Sequence, residues 1–514
     1  MTPLPVPPAL RPVAPFSAKA APPAQSDLSR LRYYKVVSDE RLVRLHPELP
    51  PTRIWGYRDA RTPRSQAGLL AGPTLITRAG EPVIVRHMNQ LPRDHVGFGE
   101  PSTTVHFHGI HAEARSDGFP DAIPAFDPVM RPGESYDYCY PMLDPGFSTG
   151  EADRTERPST LWYHDHLLDF TGPNVYQGLC AFALFFDELD TGSEHTGLRL
   201  PSGAFDVPLL IQDKRFDRNG QLVYDGLTDH NGFLGDKELV NGVIQPFLEV
   251  QRRKYRFRIL DGANARFYGV VLADRDGRPR PFDLIATEGG LLSAPIRGRT
   301  FCLMSPAQRN EIVVDFASYP EGTRLYLENR LEQVDGRGPK GDFESPEVLA
   351  RGTRLLELRV VGPRVDDPSR VPDALRPFEA IPTATIASAR RRSFRFERRH
   401  GVWVINGESV DLERPIAVVN RNEPEIWTLE NGGGGWWHPI HVHLEFMRVL
   451  KRDGQPIVRP EERDGVAKRD VISLGPRSEV EAYFNFRDFP GSFVFHCHTI
   501  EHEDAFMMAR FDVV

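Results

Sequence analysis

Phe493-Val494-Phe495-His496-Cys497-His498-Thr499-Ile500-Glu501-His502 is the stretch on which the reading of the fold turns. It opens with alternating aromatic and β-branched residues, the composition of a buried strand. On a strand, residues i and i+2 share a face, so His496 and His498 point to one side and Cys497 to the other. A thiolate, two imidazoles and a distant thioether are the donor set of a blue-copper electron-transfer centre. Cys497, His502 and Met507 stand at suitable spacing, and His438 is the natural second imidazole. Pro439 turns the chain after His438, which frees it from the direction of the residues that follow.

Working outward, the same alternation recurs. Of seventeen histidines, eleven fall in four tight groups near the two ends, and the middle third is nearly empty. The groups are His106-Phe107-His108-Gly109 with His111, His164-Asp165-His166, His438-Pro439-Ile440-His441-Val442-His443, and His496-Cys497-His498 with His502. Each His-x-His pair (106/108, 164/166, 441/443, 496/498) is expected to aim two imidazoles at one point. The eight imidazoles exceed the needs of one ion and suit a small cluster, and imidazole-only ligation fits copper or zinc. One such pair is commonly coincidence, but four of them with Cys497 and Met507 are not. His111 is left outside the ligand set. Histidines 46, 87, 95, 195, 230 and 400 are read as surface or turn residues.

Short β-branched or alternating runs closed by Gly, Pro, Asn and Asp recur throughout, as in Lys254-Tyr255-Arg256-Phe257-Arg258-Ile259, and mark the chain as all-β. Its 46 prolines and 43 glycines fit sandwiches joined by turns. Val240-Asn241-Gly242 and Ile405-Asn406-Gly407 each lead into a strand pair, and Gly72-Pro73-Thr74 opens a counterpart in the first third. Repeats about 165 residues apart predict three related sandwich domains, placed at 1–190, 191–370 and 371–514. The Pro/Asp/Arg-rich stretch from Gly362 to Pro377 is the expected linker before the last. A chain of 514 residues is in any case too long for one core.

With 40% hydrophobic and 26% charged residues, the composition excludes a disordered chain. No apolar run approaches the ~20 residues that span a bilayer. A net charge of -8 with scattered Lys and Arg offers no footprint for nucleic acid. Met1 to Gln25 is rich in Pro and Ala but lacks the basic start and apolar core of a secretory signal, so the sequence reads as cytoplasmic, with export left open. Cys139, Cys180 and Cys302 are expected as small buried hydrophobes, a Cys139–Cys180 disulfide being the alternative.

The four histidine motifs, in this order, resemble those of the multicopper oxidases. The resemblance runs from about residue 30 to the end and is strongest over Val105 to Pro120, Leu161 to Gly178, His438 to His443 and Phe495 to Met508. Leu161-Trp162-Tyr163-His164-Asp165-His166 and His502-Glu503-Asp504 look like the bacterial branch of spore-coat laccases, phenoxazinone synthase and bilirubin oxidases. The resemblance implies three cupredoxin-like Greek-key β-sandwich domains and four copper ions. His438, Cys497, His502 and axial Met507 would hold type 1 copper, and His106 and His441 type 2 copper. His108, His164, His166, His443, His496 and His498 would hold the type 3 pair.

What the resemblance further implies is a laccase-like enzyme that oxidises phenolic or aromatic donors one electron at a time and reduces dioxygen to water. Electrons would enter beside His502 and pass through Cys497 to the cluster. Glu503 matches the family's acidic residue in the oxygen channel and Asp117 the one near type 2 copper, both able to supply protons. The bland alternatives are a solvated turn for Asp117 and a hydrogen bond to a ligand for Glu503. Rival activities are bilirubin oxidation and a metallo-oxidase acting on Mn(II), Fe(II) or Cu(I); eight methionines without a cluster speak against the cuprous version. The expected partners are a small aromatic reductant and dioxygen, and the expected state is a monomer. Gly432 to Trp437 is either a wall of the donor pocket or packing against the type 1 site. One departure stands out: the spore-coat enzymes carry a disulfide in the middle domain, whereas Gly232-Phe233-Leu234-Gly235 has leucine where that pattern has cysteine.

Overall fold

The computed structural model describes residues 2–66, 68 and 70–514. Its strands form six sheets, two from each third of the chain. In the first third, Thr52–Asp59, Arg32–Val43, Val83–Gln90 and Ser135–Tyr140 make one sheet, and Leu75–Arg78, Cys180–Phe186, Thr160–Asp165 and Val105–His108 the other. The middle third pairs a seven-stranded with a five-stranded sheet, and the last third a six-stranded with a five-stranded one. A large apolar cluster fills each unit.

The internal repeat is topological as well as sequential. The opening strand of each unit (Arg32–Val43, Asp206–Lys214, Arg390–Arg399) lies parallel to a later one (Val83–Gln90, Lys254–Asp261, Pro424–Asn431). A second parallel pair joins Leu75–Arg78, Phe247–Arg252 and Ala417–Val419 to the closing strands Cys180–Phe186, Val348–Arg364 and Met508–Val513. Parallel neighbours require crossovers instead of hairpins, so the same Greek-key sandwich is built three times. The Asn-Gly marks of the repeat have a conformational cause. Asn241 and Gly242 (φ 51° and 79°) and Asn406 and Gly407 (φ 55° and 81°) adopt the two successive positive φ values of a type I′ hairpin.

Buried charge ties the units together. Arg256 and Arg258 are fully buried, paired with Glu311, Asp190 and Asp206, and reach Ser159 and Thr160 at the start of the strand that carries His164. Charges taken out of water at such a junction must be paired. The Pro/Ala-rich N-terminal segment runs along the surface and inserts Leu4 and Leu10 into the middle and first cores. The expected linker is more ordered than its composition predicts. Strand Val348–Arg364 runs into it, Asp367 bonds Arg253 and Lys254, and Arg376 bonds Asp187.

Cys139, Cys180 and Cys302 are buried free thiols, so the alternative disulfide does not form. The surface assignment fails for His87, which is buried among Tyr57, Tyr138 and Tyr163 at ring distances of 5.6, 5.4 and 5.8 Å. Strand alternation over Val83–Gln90 turns it inward, and burial pushes its pKa down to about 3. Among the described residues, no helix is long and apolar enough to cross a membrane.

Candidate metal centres

Two antiparallel ladders carry the histidine pairs, one in each terminal unit. Val105–His108 lies against Thr160–Asp165 with His106 opposite His164. His438–Val442 lies against Gly491–Cys497 with His441 opposite His496. The ladders meet face to face, so that His106 and His443 stack at 3.9 Å and His108 and His441 at 3.7 Å between ring centroids.

The eight imidazoles gather into three neighbouring positions: His108, His164 and His498 close one trio, His166, His443 and His496 a second, and His106 meets His441 between them. The expectation that each His-x-His pair aims at one point is therefore corrected. Pairs 164/166 and 496/498 split between the two trios, and 106/108 and 441/443 split between the central pair and a trio. The cause is the strand itself: i and i+2 lie about 6.6 Å apart along it, so one pair spans two adjacent positions.

The donor chemistry of the cluster fits cations. Six imidazoles hand one ring N–H outward: His106 Nδ1 to Asp117 O at 2.5 Å, His441 Nδ1 to Asp470 O at 2.7 Å, His164 Nδ1 to Asp165 O at 2.8 Å, His496 Nδ1 to Cys497 O at 3.2 Å, His443 Nδ1 to Asp117 Oδ2 at 2.6 Å and His108 Nε2 to Asp470 Oδ1 at 3.2 Å. That fixes the tautomer and leaves the other nitrogen with its lone pair facing in. Lone pairs then confront one another, His106 Nε2 against His441 Nε2 at 3.3 Å and His496 Nε2 against His443 Nε2 at 3.2 Å, while His166, whose Nδ1 has no partner, brings its Nε2 to 3.2 Å from His496 Nε2. His108 Nδ1, His164 Nε2 and both nitrogens of His498 have no protein partner. Burial, and then the proximity of the other imidazoles, keeps His106, His108, His166, His441, His443 and His498 well below the usual histidine range, so protons do not fill the gap. Metal ions satisfy this arrangement; neutral imidazoles alone do not.

The second centre lies on the other side of the strand. Cys497 Sγ is 3.5 Å from His438 Nδ1 and 3.5 Å from His502 Nδ1, and the two nitrogens are 3.2 Å apart. All three residues are fully buried, and burial pushes the Cys497 thiol up, so a metal must displace its proton on binding. Met507 is buried in the same apolar cluster, its carbonyl accepting from Cys497 N–H at 3.1 Å. The glycine-rich stretch supplies half of a wall. Trp437 packs away from the site against Phe267 and Phe343, whereas Trp436 lies edge-on to Trp403, whose ring sits 4.0 Å from His502. Arg398 caps both indoles and Arg337 the outer one. Trp403 belongs to no motif, and sequence reasoning missed it.

Both candidate acids reach the cluster. Asp117 ends the single helical turn Ala114–Asp117, and Gly118 (φ 86°) reverses the chain against the His106 strand, where a Cβ would lie 2.2 Å from Val105 O. Asp117 is buried, which rules out the solvated turn, and burial pushes its carboxyl well above the usual range. Glu503 Oε2 lies 2.9 Å from His496 Nδ1 and Oε1 3.7 Å from His166 Nε2, yet neither oxygen makes a hydrogen bond. His111 stands apart, held by Asp488 at 2.8 Å. Asp470, which holds two cluster histidines, was also missed because it follows no spacing rule.

A three-sandwich chain in which a cysteine centre and a buried imidazole cluster meet at the adjacent residues His496, Cys497 and His498 is the architecture of a copper oxidase. Two multicopper oxidase family models match residues 64–185 and 380–514, the two stretches that carry the four histidine motifs. The chain is 33% identical to bilirubin oxidase of Albifimbria verrucaria, over 93% of its own length and 76% of that protein's. It is 31% identical to laccase of Bacillus subtilis, over 99% and 97%. Among solved structures it resembles the multicopper oxidase McoA of Aquifex aeolicus, with TM-score 0.77, 26% identity and coverage of 100% and 99%. The chain belongs to the multicopper oxidase family, in its laccase branch, and is a copper-dependent oxidoreductase.

Proposed function

We propose that the protein oxidises phenolic or other electron-rich aromatic donors and reduces dioxygen to water with four coppers. His438, Cys497 and His502, with Met507 as a weak axial donor, would hold type 1 copper; His106 and His441 type 2; and the trios His108, His164, His498 and His166, His443, His496 the type 3 pair. Copper bound there supplies one-electron chemistry at one end and four-electron chemistry toward dioxygen at the other. The observation that carries the reading is the single strand in which Cys497 serves one centre while its covalent neighbours serve both trios. Donor and oxygen sites are thereby connected through one residue's backbone.

The remaining residues bind, orient and protonate. Asp117 fixes His106 through its carbonyl and His443 through its carboxylate, and Glu503, buried and without a structural hydrogen bond, is placed to pass protons to the cluster. Trp403, itself buried, covers His502 and excludes water from it, and the half-buried Trp436 packed edge-on against it is the ring left to meet an aromatic donor. Arg337 and Arg398 make that wall cationic, which favours phenolates and carboxylated aromatics and disfavours Mn(II) or Cu(I). The domains are drawn at 1–190, 191–370 and 371–514, with every copper ligand in the first and third.

Oxygen uptake by the copper-loaded protein with a phenol, bilirubin, Mn(II) and Cu(I) in parallel tests this reading. Turnover is expected with the organic donors, without release of hydrogen peroxide. Turnover of metal ions alone would overturn it.

A further inference from the structure

Arg309 opens strand Arg309–Asp315 of the middle unit, which holds none of the ligands, yet its fully buried side chain ends beside the imidazole cluster. Its guanidinium grips Asp470 as a fork, Nη1 to Oδ1 at 2.8 Å and Nη2 to Oδ2 at 2.6 Å. Nε donates to Thr160 O at 2.9 Å, Nη1 to Ala307 O at 3.0 Å and Nη2 to Glu288 O at 3.3 Å. All five N–H groups of the side chain are thus used, on partners from all three units.

Asp470 faces the metal positions. Its carboxylate takes His108 Nε2–H and its carbonyl takes His441 Nδ1–H. His108 is therefore left to present Nδ1 inward and His441 Nε2. One histidine belongs to a trio and the other to the central pair, so a single aspartate orients ligands of two neighbouring ions. Gly109 makes the close approach possible: its φ is 86°, and a Cβ would stand 2.7 Å from Asp470 Oδ2 and 2.9 Å from Arg309 Nη2.

We propose that Arg309 is a positioning residue of the copper cluster, acting through Asp470 on His108 and His441, so that the middle unit is a third wall of the cluster as well as a spacer. The proposal rests on the copper assignment above. An Arg–Asp pair that only tied units together would need charge, which lysine also carries. A clamp that sets the aspartate's orientation needs the planar fork, which lysine lacks.

The test loads full-length wild type, Arg309→Lys and Arg309→Met with copper. Copper per chain under chelator competition, blue absorption per chain and the electron paramagnetic resonance of the non-blue copper are then measured. Both variants are expected to keep the blue centre while the cluster's copper affinity falls roughly tenfold, at the low end of the loss caused by removing a metal-bound histidine's own partner, since Asp470 remains but is no longer held in orientation. If Arg309→Met does not fold, Arg309→Lys carries the test. A lysine variant with the full copper complement and a wild-type cluster signal would overturn the clamp, as would equal loss at both centres. Wild type holding only one copper would instead overturn the assignment on which the clamp rests.

Discussion

Replacing Glu503 with glutamine separates chemistry from architecture. The side chain is buried, Oε2 approaches His496 Nδ1 to 2.9 Å, and neither oxygen makes a hydrogen bond, because His496 Nδ1–H is already given to Cys497 O. Glutamine has the same shape and removes no structural hydrogen bond, so the fold and the wild-type copper content should survive with a stability change within about 1 kcal/mol. What disappears is a carboxyl group beside His496 and His166 that can relay protons. A positioned general acid contributes about 10²- to 10⁴-fold, which at 1.36 kcal/mol per tenfold raises the barrier by about 2.7 to 5.4 kcal/mol. The loss should appear in kcat for oxygen uptake. The ratio kcat/KM for the organic donor should not move, because the donor reduces the protein beside His502 on the other side of the strand, so KM for the donor falls together with kcat. With excess donor in air, the variant should lie bleached in the steady state, since reduction continues while reoxidation stalls. A fully copper-loaded Glu503→Gln enzyme with kcat within about threefold of wild type would refute the proton-delivery role.

Cys497→Ser should lose both the blue colour and donor oxidation while copper analysis still finds the imidazole cluster filled; a blue, active variant would refute the thiolate assignment. Met507→Leu should stay blue and raise the reduction potential of that centre, because the axial thioether helps stabilise the oxidised ion. Redox titration of the blue band reads the shift, and an unchanged or lowered potential would place Met507 outside the ligand set.

The pairs of histidines were legible because the strand period of two is strict, and the Asn-Gly repeats because few residues other than glycine and asparagine accept positive φ. Legibility ended where contacts depend on three-dimensional approach. Alternation tells which side His106 and His108 face, but not that their separation along the strand places them in different groups of the cluster. Asp470 and Arg309 look like ordinary strand charges in sequence; burial at a three-unit junction makes them partners of the cluster. His87 was misplaced because the tyrosines that enclose it come from three other strands. Gly432 to Trp437 could be read either way, and adjacent tryptophans took opposite directions, Trp437 into the middle unit and Trp436 toward Trp403.

In the proposed arrangement, His496-Cys497-His498 at the end of one strand connects a cysteine-held copper to a three-copper cluster. Anomalous diffraction from copper-loaded crystals, collected on both sides of the copper absorption edge, tests it most directly. Four peaks are expected, one among Cys497 Sγ, His438 Nδ1 and His502 Nδ1 and three within the eight imidazoles. No peak at Cys497, or fewer than three in a fully loaded cluster, would refute this arrangement.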